Sequence, residues 1–308
     1  MDFLSFLLSP PNNLVLWEIL VISFILGILH GITPDEHTWP ITFSYAVGSY
    51  STKGGMKAGF LFSLGFTIQR AFLTFLGFIG LAYIYKTYNL DGPVYLIVGI
   101  VMAIAGSYVL RGKYFHLPFD KLLGGKAHHT ENATRLSPRE VHPKEIPLKM
   151  TILHGLIAGF GFGAYATIIT FVLAPQVPSV IYSPLPGLMF GLGTMVMQII
   201  IGAVFGTLLR KMKMNDNDIK YIGKSTAGRT LYYGGLAFAL IGMVIILLPS
   251  IDNFAISTGV SVPNLNAIDV GFLLVITVVG IIGAWSMVKS YFEIKSIKKE
   301  AEKKPEPV

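Results

Sequence analysis

The densest chemistry in the chain lies in one short segment, His30-Gly-Ile-Thr-Pro34-Asp35-Glu36-His37-Thr-Trp-Pro40. Its two imidazoles and two carboxylates supply the nitrogen and oxygen donors that Ni²⁺, Co²⁺ or Zn²⁺ accept. Pro34 and Pro40 each remove a backbone donor and break regular helix, and Gly31 loosens the turn before them. Irregular backbone at membrane depth is tolerated only where it is buried in protein or lines a cavity, so a ligand site is one reading of the segment. The other is a polar helix end, with the span finishing at Thr33 and the side chains reaching cytoplasmic water. Residues 34–50 carry no charge after His37 and could instead re-enter the membrane.

Three further polar residues fall inside apolar stretches: His154, and the neighbours Gln69 and Arg70. Ionisable groups in hydrocarbon are costly and mark functional sites by default. His154 is either a further metal ligand or a histidine hydrogen-bonded within a helix bundle. Arg70 must be paired or line water, and Asp35 or Glu36 is the expected partner. Alternatively, its forked donors could hold an oxyanion. Glu18 and Asp269 sit at span ends, where water reaches them.

The elements that must position these groups are membrane helices. Of the 308 residues 53% are hydrophobic and 13% charged, about half the charged fraction usual in a soluble domain, and the mean hydropathy is +0.62. A span needs roughly 20 mostly apolar residues. Seven windows qualify, at about 14–33, 57–84, 93–110, 148–173, 187–209, 230–249 and 268–288. Asp2 stands where a cleaved signal peptide would carry positive charge, so none is expected.

The net charge of +7 is not a nucleic-acid footprint, because of where it lies. All Lys and Arg except Arg70 and Lys86 fall in four segments: Lys53 and Lys57, Arg111 to Lys149, Arg210 to Arg229, and Lys289 to Lys304. Basic and non-basic loops alternate when seven spans are threaded in order. The positive-inside rule then predicts a multi-pass cell-membrane protein with its N-terminus outside and its C-terminus cytoplasmic.

Three patterns occur twice in the same order. Ile28-Leu29-His30-Gly31 returns as Ile152-Leu153-His154-Gly155; Gly59, Phe62, Leu64 and Gly65 return as Gly187, Phe190, Leu192 and Gly193; Gly99 and Gly106 return as Gly235 and Gly242. The offsets are 124, 128 and 136. The predicted fold is an all-α polytopic membrane protein of about seven transmembrane helices, two inverted three-helix repeats plus one C-terminal helix. The first repeat covers 14–110 and the second 148–249, joined by a cytoplasmic loop at 111–147. A seventh helix at 268–290 and a charged cytoplasmic tail at 291–308 follow. An odd number of spans per repeat turns the second copy upside down, a transporter design with substrate near the midplane.

Other signals are weaker or excluded. His116, His128, His129 and His142 in the loop have no regular ligand spacing, and the Asn132-Ala-Thr sequon is expected to be inert in the cytoplasm. Gly223-Lys224-Ser225 is not a phosphate loop, since Asp218 replaces its first glycine. The chain has no cysteine, which removes disulfides, thiolate metal sites and thiol-based electron transfer.

His30, Asp35 and His37 resemble the early-helix signature of the nickel/cobalt transporter family, a histidine followed four residues on by a metal-binding Asp-His pair. Gly31, Pro34 and Asp35 look like the related urease-accessory membrane proteins, and Phe62-Ser63-Leu64-Gly65 is similar to the family's next helix. The wider superfamily also holds LysE-type exporters, TauE/SafE-type sulfite exporters and DsbD-type electron carriers. This chain departs from the signature where Glu36 separates Asp35 from His37, where Thr33 replaces an aspartate and where Phe66 replaces a histidine. The resemblance covers the first 70 residues well and the rest through the repeat plan.

The expected function is a transporter of a divalent transition-metal cation such as nickel or cobalt. His30, Asp35, His37, Glu36 and His154 would bind the metal, with Arg70 and Gln69 on the substrate pathway or in an ion pair. An exporter of a small sulfur oxyanion, sulfite or a sulfonate, is the alternative, with Arg70 as its anchor. An intramembrane metalloenzyme or an assembly factor for one is a third. No catalysis and no prosthetic group are expected; the metal is cargo. The partners expected are a small ion and membrane lipid, without nucleic acid, and a homo-oligomer is compatible with the sequence.

Overall fold

The computed structural model describes residues 3–88, 90–111, 148–161, 163–212 and 214–302. His116, His128, His129 and His142, Asn132 and the last six residues lie outside this range.

The described residues are almost entirely helical. They comprise α1 (Phe3–Leu8), α2 (Leu16–Ile32), α3 (Trp39–Gly48), α4 (Thr52–Phe78), α5 (Tyr83–Tyr88), α6 (Asp91–Arg111), α7 (Lys149–Ala158), α8 (Ala164–Thr167), α9 (Leu185–Leu208), α10 (Asp216–Leu247), α11 (Val270–Val275) and α12 (Ala284–Glu302). α8 runs on through a wide turn, Ile168–Leu173, and a tight one, Ala174–Gln176, and a second wide turn at Ile276–Gly283 joins α11 to α12. A two-stranded antiparallel hairpin, β1 (Ala255–Ser257) and β2 (Ala267–Asp269), precedes α11.

Among the described residues, five helical stretches are long and apolar enough to cross a membrane: Thr52–Phe78, Asp91–Leu110, Val180–Met212, Asp216–Leu247 and Val270–Lys299. They coincide with five of the seven expected windows. The windows at 14–33 and 148–173 are occupied differently. α2 stops at Ile32, and α3 then resumes. The 148–173 window is broken at residues 159–163, between α7 and α8.

Large apolar side chains are exposed, while several polar ones are buried beside the apolar core. Ile181, Leu240, Leu247 and Phe72 are exposed, whereas Ser23, Thr42, Ser63, Thr194 and Gln198 are buried. Lipid tails are as apolar as leucine, so helices associate through close packing and hydrogen bonds. Glycines set that packing. A Cβ at Gly59 would fall 2.1 Å from the Gln198 carbonyl oxygen, and one at Gly187 would fall 2.0 Å from that of Arg70. α4 and α9 are thus in backbone contact and antiparallel, since Gly55 meets Gly202 while Gly187 meets Arg70. α6 and α10 are also antiparallel, with Gly106 against Tyr232 and Gly242 against Leu96.

The broken stretches lie along the α4–α9 pair. Going down α9, Gly27 of α2 meets Phe190, Gly31 meets Thr194 and Met197, and Phe43 of α3 meets Phe205. α3 therefore continues in the sense of α2 rather than turning back. Likewise, Gly155 of α7 packs on Phe62 of α4, Gly159 on Gln69, and Thr170 beyond α8 on Gly77. Both interruptions fall beside the middle of this helix pair.

Caps fix the helix starts: the Ser51, Asn215 and Asp269 side chains accept the backbone N–H of Gly54, Asp218 and Phe272. Glu18 accepts the Val15 N–H at the head of α2. α12 is held to α10 by Arg229, whose guanidinium donates to Ser290 and Glu293, and by an ion pair of Lys298 with Asp218.

Candidate functional site

The interruption between α2 and α3 follows from its own residues. Proline disfavours helical backbone in the residue before it, and Thr33, before Pro34, is extended at φ −76° and ψ 144°. The Thr33 hydroxyl donates to the Leu29 carbonyl at 2.9 Å, ending α2 with its polar groups satisfied. Asp35 then makes a local turn: its Oδ1 accepts the His37 N–H at 3.0 Å, and its carbonyl accepts those of Thr38 and Trp39. Pro40 sits in the first turn of α3, where its missing donor costs nothing.

This turn gathers the candidate ligands. His30 Nδ1 lies 3.6 Å from Asp35 Oδ2, His37 Nδ1 lies 3.9 Å from Asp35 Oδ1, and Glu36 Oε1 lies 2.9 Å from His37 Nδ1. One donor atom each from Asp35, Glu36 and His37 falls within 4.8 Å of the others. His30, Asp35 and His37 are 4%, 2% and 3% exposed, which rules out the water-facing helix end. The Nε2 atoms of both histidines are buried without a hydrogen-bond partner. His30 is wedged between the rings of Phe66 and Phe190, at 5.5 and 5.1 Å. His37 stacks on Tyr95, whose hydroxyl donates to Glu36 Oε1 at 3.0 Å.

The second interruption supplies room rather than ligands. A Cβ at Gly161 would lie 2.1 Å from His37 Nε2, and one at Gly159 would lie 2.5 Å from Gln69 Oε1. The Gln69 amide is buried with neither its nitrogen nor its oxygen hydrogen-bonded. Arg70 is 1% exposed. Its guanidinium donates to the Gly161 carbonyl at 2.8 Å and lies 4.7 Å above the Phe66 ring. That bond goes to the backbone of the second interruption, and among the described residues the guanidinium makes none to Asp35 or Glu36.

His154 is equally buried but engaged elsewhere. Its Nδ1 lies 3.0 Å from the Tyr45 hydroxyl and 3.0 Å from the Met150 carbonyl, and its ring packs on Tyr45. None of these contacts reaches Asp35, Glu36 or His37. His30, Asp35, Glu36 and His37 come together, with Gln69 and Arg70 beside them, and His154 does not join their contacts.

Comparison with family models, with curated proteins and with solved structures finds no match.

A cavity of about 270 Å³ adjoins the cluster. Pro34, Glu36 and His37 line its floor, and Asp91, Asp252 and Asp269 add carboxylates to its wall, with Asn264 and Asn266 beside them. Among the described residues, no Lys or Arg lines it. Carboxylates facing a low-dielectric cleft concentrate cations and repel anions.

Tyr95, Asn264, Asp91 and Asp252 were not among the residues singled out from the sequence. Asp91 and Asp252 had a signal, since they are acids in the loops that lack basic clusters. Gly161 had another: adding the 124-residue offset to His37 lands on it. Tyr95 and Asn264 had none, because a tyrosine in a span and an asparagine in a hairpin loop are ordinary residues until folding brings them to Glu36 and Asp35.

Proposed function

We propose that this protein is a multi-pass membrane transporter of a divalent transition-metal cation such as nickel or cobalt. The observation that carries the reading is the convergence of Asp35, Glu36 and His37 donor atoms at an interrupted helix, beside a carboxylate-lined cavity. Mixed imidazole and carboxylate donors suit a borderline-soft divalent ion. His30, Asp35, Glu36 and His37 would take the ion after it sheds part of its water, and the cavity would be its route of approach. The loops forming that cavity, around Asp91 and Asp252, are those without basic clusters, so it faces the non-cytoplasmic side on the charge-based orientation.

The framework in this proposal is two inverted three-helix repeats followed by a seventh span. Two pairs of exchanged contacts support it. Shifting Gly59 and Gln198 by 128 in opposite senses returns Gly187 and Arg70, and both pairs are in backbone contact. Shifting Gly106 and Tyr232 by 136 returns Gly242 and Leu96, again a contact pair. A twofold axis in the membrane plane produces this exchange. Counting α2 with α3, and α7 with α8, as two interrupted spans brings the five long helices to seven. Rocking of one repeat against the other would expose the site alternately.

An oxyanion is the poorer cargo for this site. Its approach is lined by carboxylates, and Arg70 is turned to the Gly161 carbonyl.

The test is isothermal titration of the purified protein with Ni²⁺, Co²⁺, Zn²⁺ and sulfite, beside a His30→Ala, His37→Ala double variant. Saturable binding of a divalent metal that the double variant loses is the expected result. Sulfite binding without metal binding would refute the proposal.

A further inference from the structure

The hairpin before α11 belongs to neither half of the proposed repeat, yet it reaches the centre of the site. Its loop is tied down internally, with the Thr258 N–H donating to the Asn266 carbonyl at 3.0 Å and the Leu265 N–H to that of Val262 at 3.1 Å. It is also tied to the bundle, where the Tyr165 hydroxyl donates to the Pro263 carbonyl at 3.5 Å. Pro263 is buried, which places the next residue over the α2–α3 interruption.

That residue is Asn264. Its Nδ2 donates to Asp35 Oδ2 at 3.4 Å and to Thr33 Oγ1 at 3.2 Å. The Asp35 carboxylate is thus held at both oxygens, Oδ1 by the His37 N–H within the turn and Oδ2 by a side chain more than 200 residues away. Oδ2 is also the oxygen nearest His30. The backbone of Asn264 is left-handed, at φ 64°. Asparagine and aspartate are the side-chain-bearing residues that adopt this conformation most readily. Of the two, asparagine carries an amide that can donate. The position therefore requires both a left-handed backbone and an N–H₂ group, and Asn264 meets both.

We infer that Asn264 is a positioning residue of the cation site, orienting the Asp35 carboxylate toward the ion from outside the repeated helices. The inference rests on the cation reading of that site. Groups that orient a metal-ligating carboxylate or imidazole typically contribute about 10- to 100-fold in metal affinity.

The test uses the full-length purified protein, CoCl₂ and MnCl₂ as probes, and two variants that keep the left-handed turn. Asn264→Gly removes the amide and should weaken Co²⁺ binding about 10-fold or more, with the metal-free unfolding temperature unchanged. Asn264→Asp replaces the donor by an oxygen ligand beside Asp35 and should narrow the preference for Co²⁺ over Mn²⁺, because manganese suits carboxylate oxygens. A scaffolding role alone would lower the unfolding temperature and leave the Co²⁺ to Mn²⁺ ratio as in the wild type, which overturns the inference. So does an Asn264→Gly protein within twofold of wild-type Co²⁺ affinity. Both of those outcomes leave the cation reading standing, whereas a wild-type protein that binds neither metal removes both.

Discussion

Replacing Gly161 by alanine adds one methyl group to the protein and directs it at His37. The new Cβ would lie 2.1, 2.3 and 2.4 Å from Nε2, Cδ2 and Cε1 of the imidazole, where ordinary contact begins near 3.4 Å. The ring or the backbone must yield by about 1.3 Å, the gap between those limits. The backbone is restrained because the Gly161 carbonyl accepts a hydrogen bond from Arg70. The ring is restrained on its other faces by Tyr95, with centroids 5.3 Å apart, and by Glu36 at 2.9 Å. Overpacking of this kind costs about 1–3 kcal/mol of stability. Its effect on binding should exceed its effect on folding, since metal–ligand distances tolerate only about 0.2 Å. Loss of ligand alignment then corresponds to roughly 10- to 100-fold weaker Co²⁺ binding. Gly163 provides the control. A Cβ there meets nothing within 4 Å, and neither glycine has a left-handed φ. Calorimetric titration of Gly161→Ala and Gly163→Ala beside the wild type reads the difference, with thermal unfolding as the folding check. Equal Co²⁺ affinity in all three proteins would refute the placement of His37 in the site.

Gly59→Ala and Gly187→Ala should destabilise the detergent-solubilised protein by similar amounts, about 1–3 kcal/mol each, because each added Cβ strikes a carbonyl oxygen at 2.0–2.1 Å. Thermal unfolding measures both, and a silent substitution at one position alone would count against the symmetric packing. Protons compete with metal for the same imidazole and carboxylate donors, so Co²⁺ affinity should fall on acidification. Titrations between about pH 5.5 and 7.5 check the sign, and tighter binding on acidification would contradict the ligand set.

How much of this was readable beforehand depends on which physical signal each feature leaves. The interruption at Pro34 was legible because proline excludes itself from a helix interior wherever it occurs. The interruption at residues 159–163 was not, although Gly159, Gly161 and Gly163 stood in plain view. A glycine run serves close helix packing as well as a break, and an apolar window has the same hydropathy whether its helix is continuous or split. The burial of Arg70 followed from its position in a span, but its choice of the Gly161 carbonyl over Asp35 depends on a contact between residues 91 apart in sequence.

The pairing of His30 with His154 shows why a repeat in sequence does not by itself make a shared site. On the proposed twofold, residues at the axis meet their own counterparts, and residues away from it are carried to opposite sides. His37 and Gly161 are counterparts at the 124-residue offset, and they touch. His30 stands in α2, before the interruption, with its ring between those of Phe66 and Phe190. His154 stands in α7, where its ring packs on Tyr45, so the two histidines meet different neighbours instead of one site. A metal site at that axis has to be asymmetric. On that proposal one copy supplies Asp35 and His37 near the axis, and the other supplies Gly161, whose missing side chain leaves the space that His37 occupies, and Gly159, against which Gln69 packs. On the proposed repeat, the exchange of His37 for Gly161 between the copies is what would make room for a single ion.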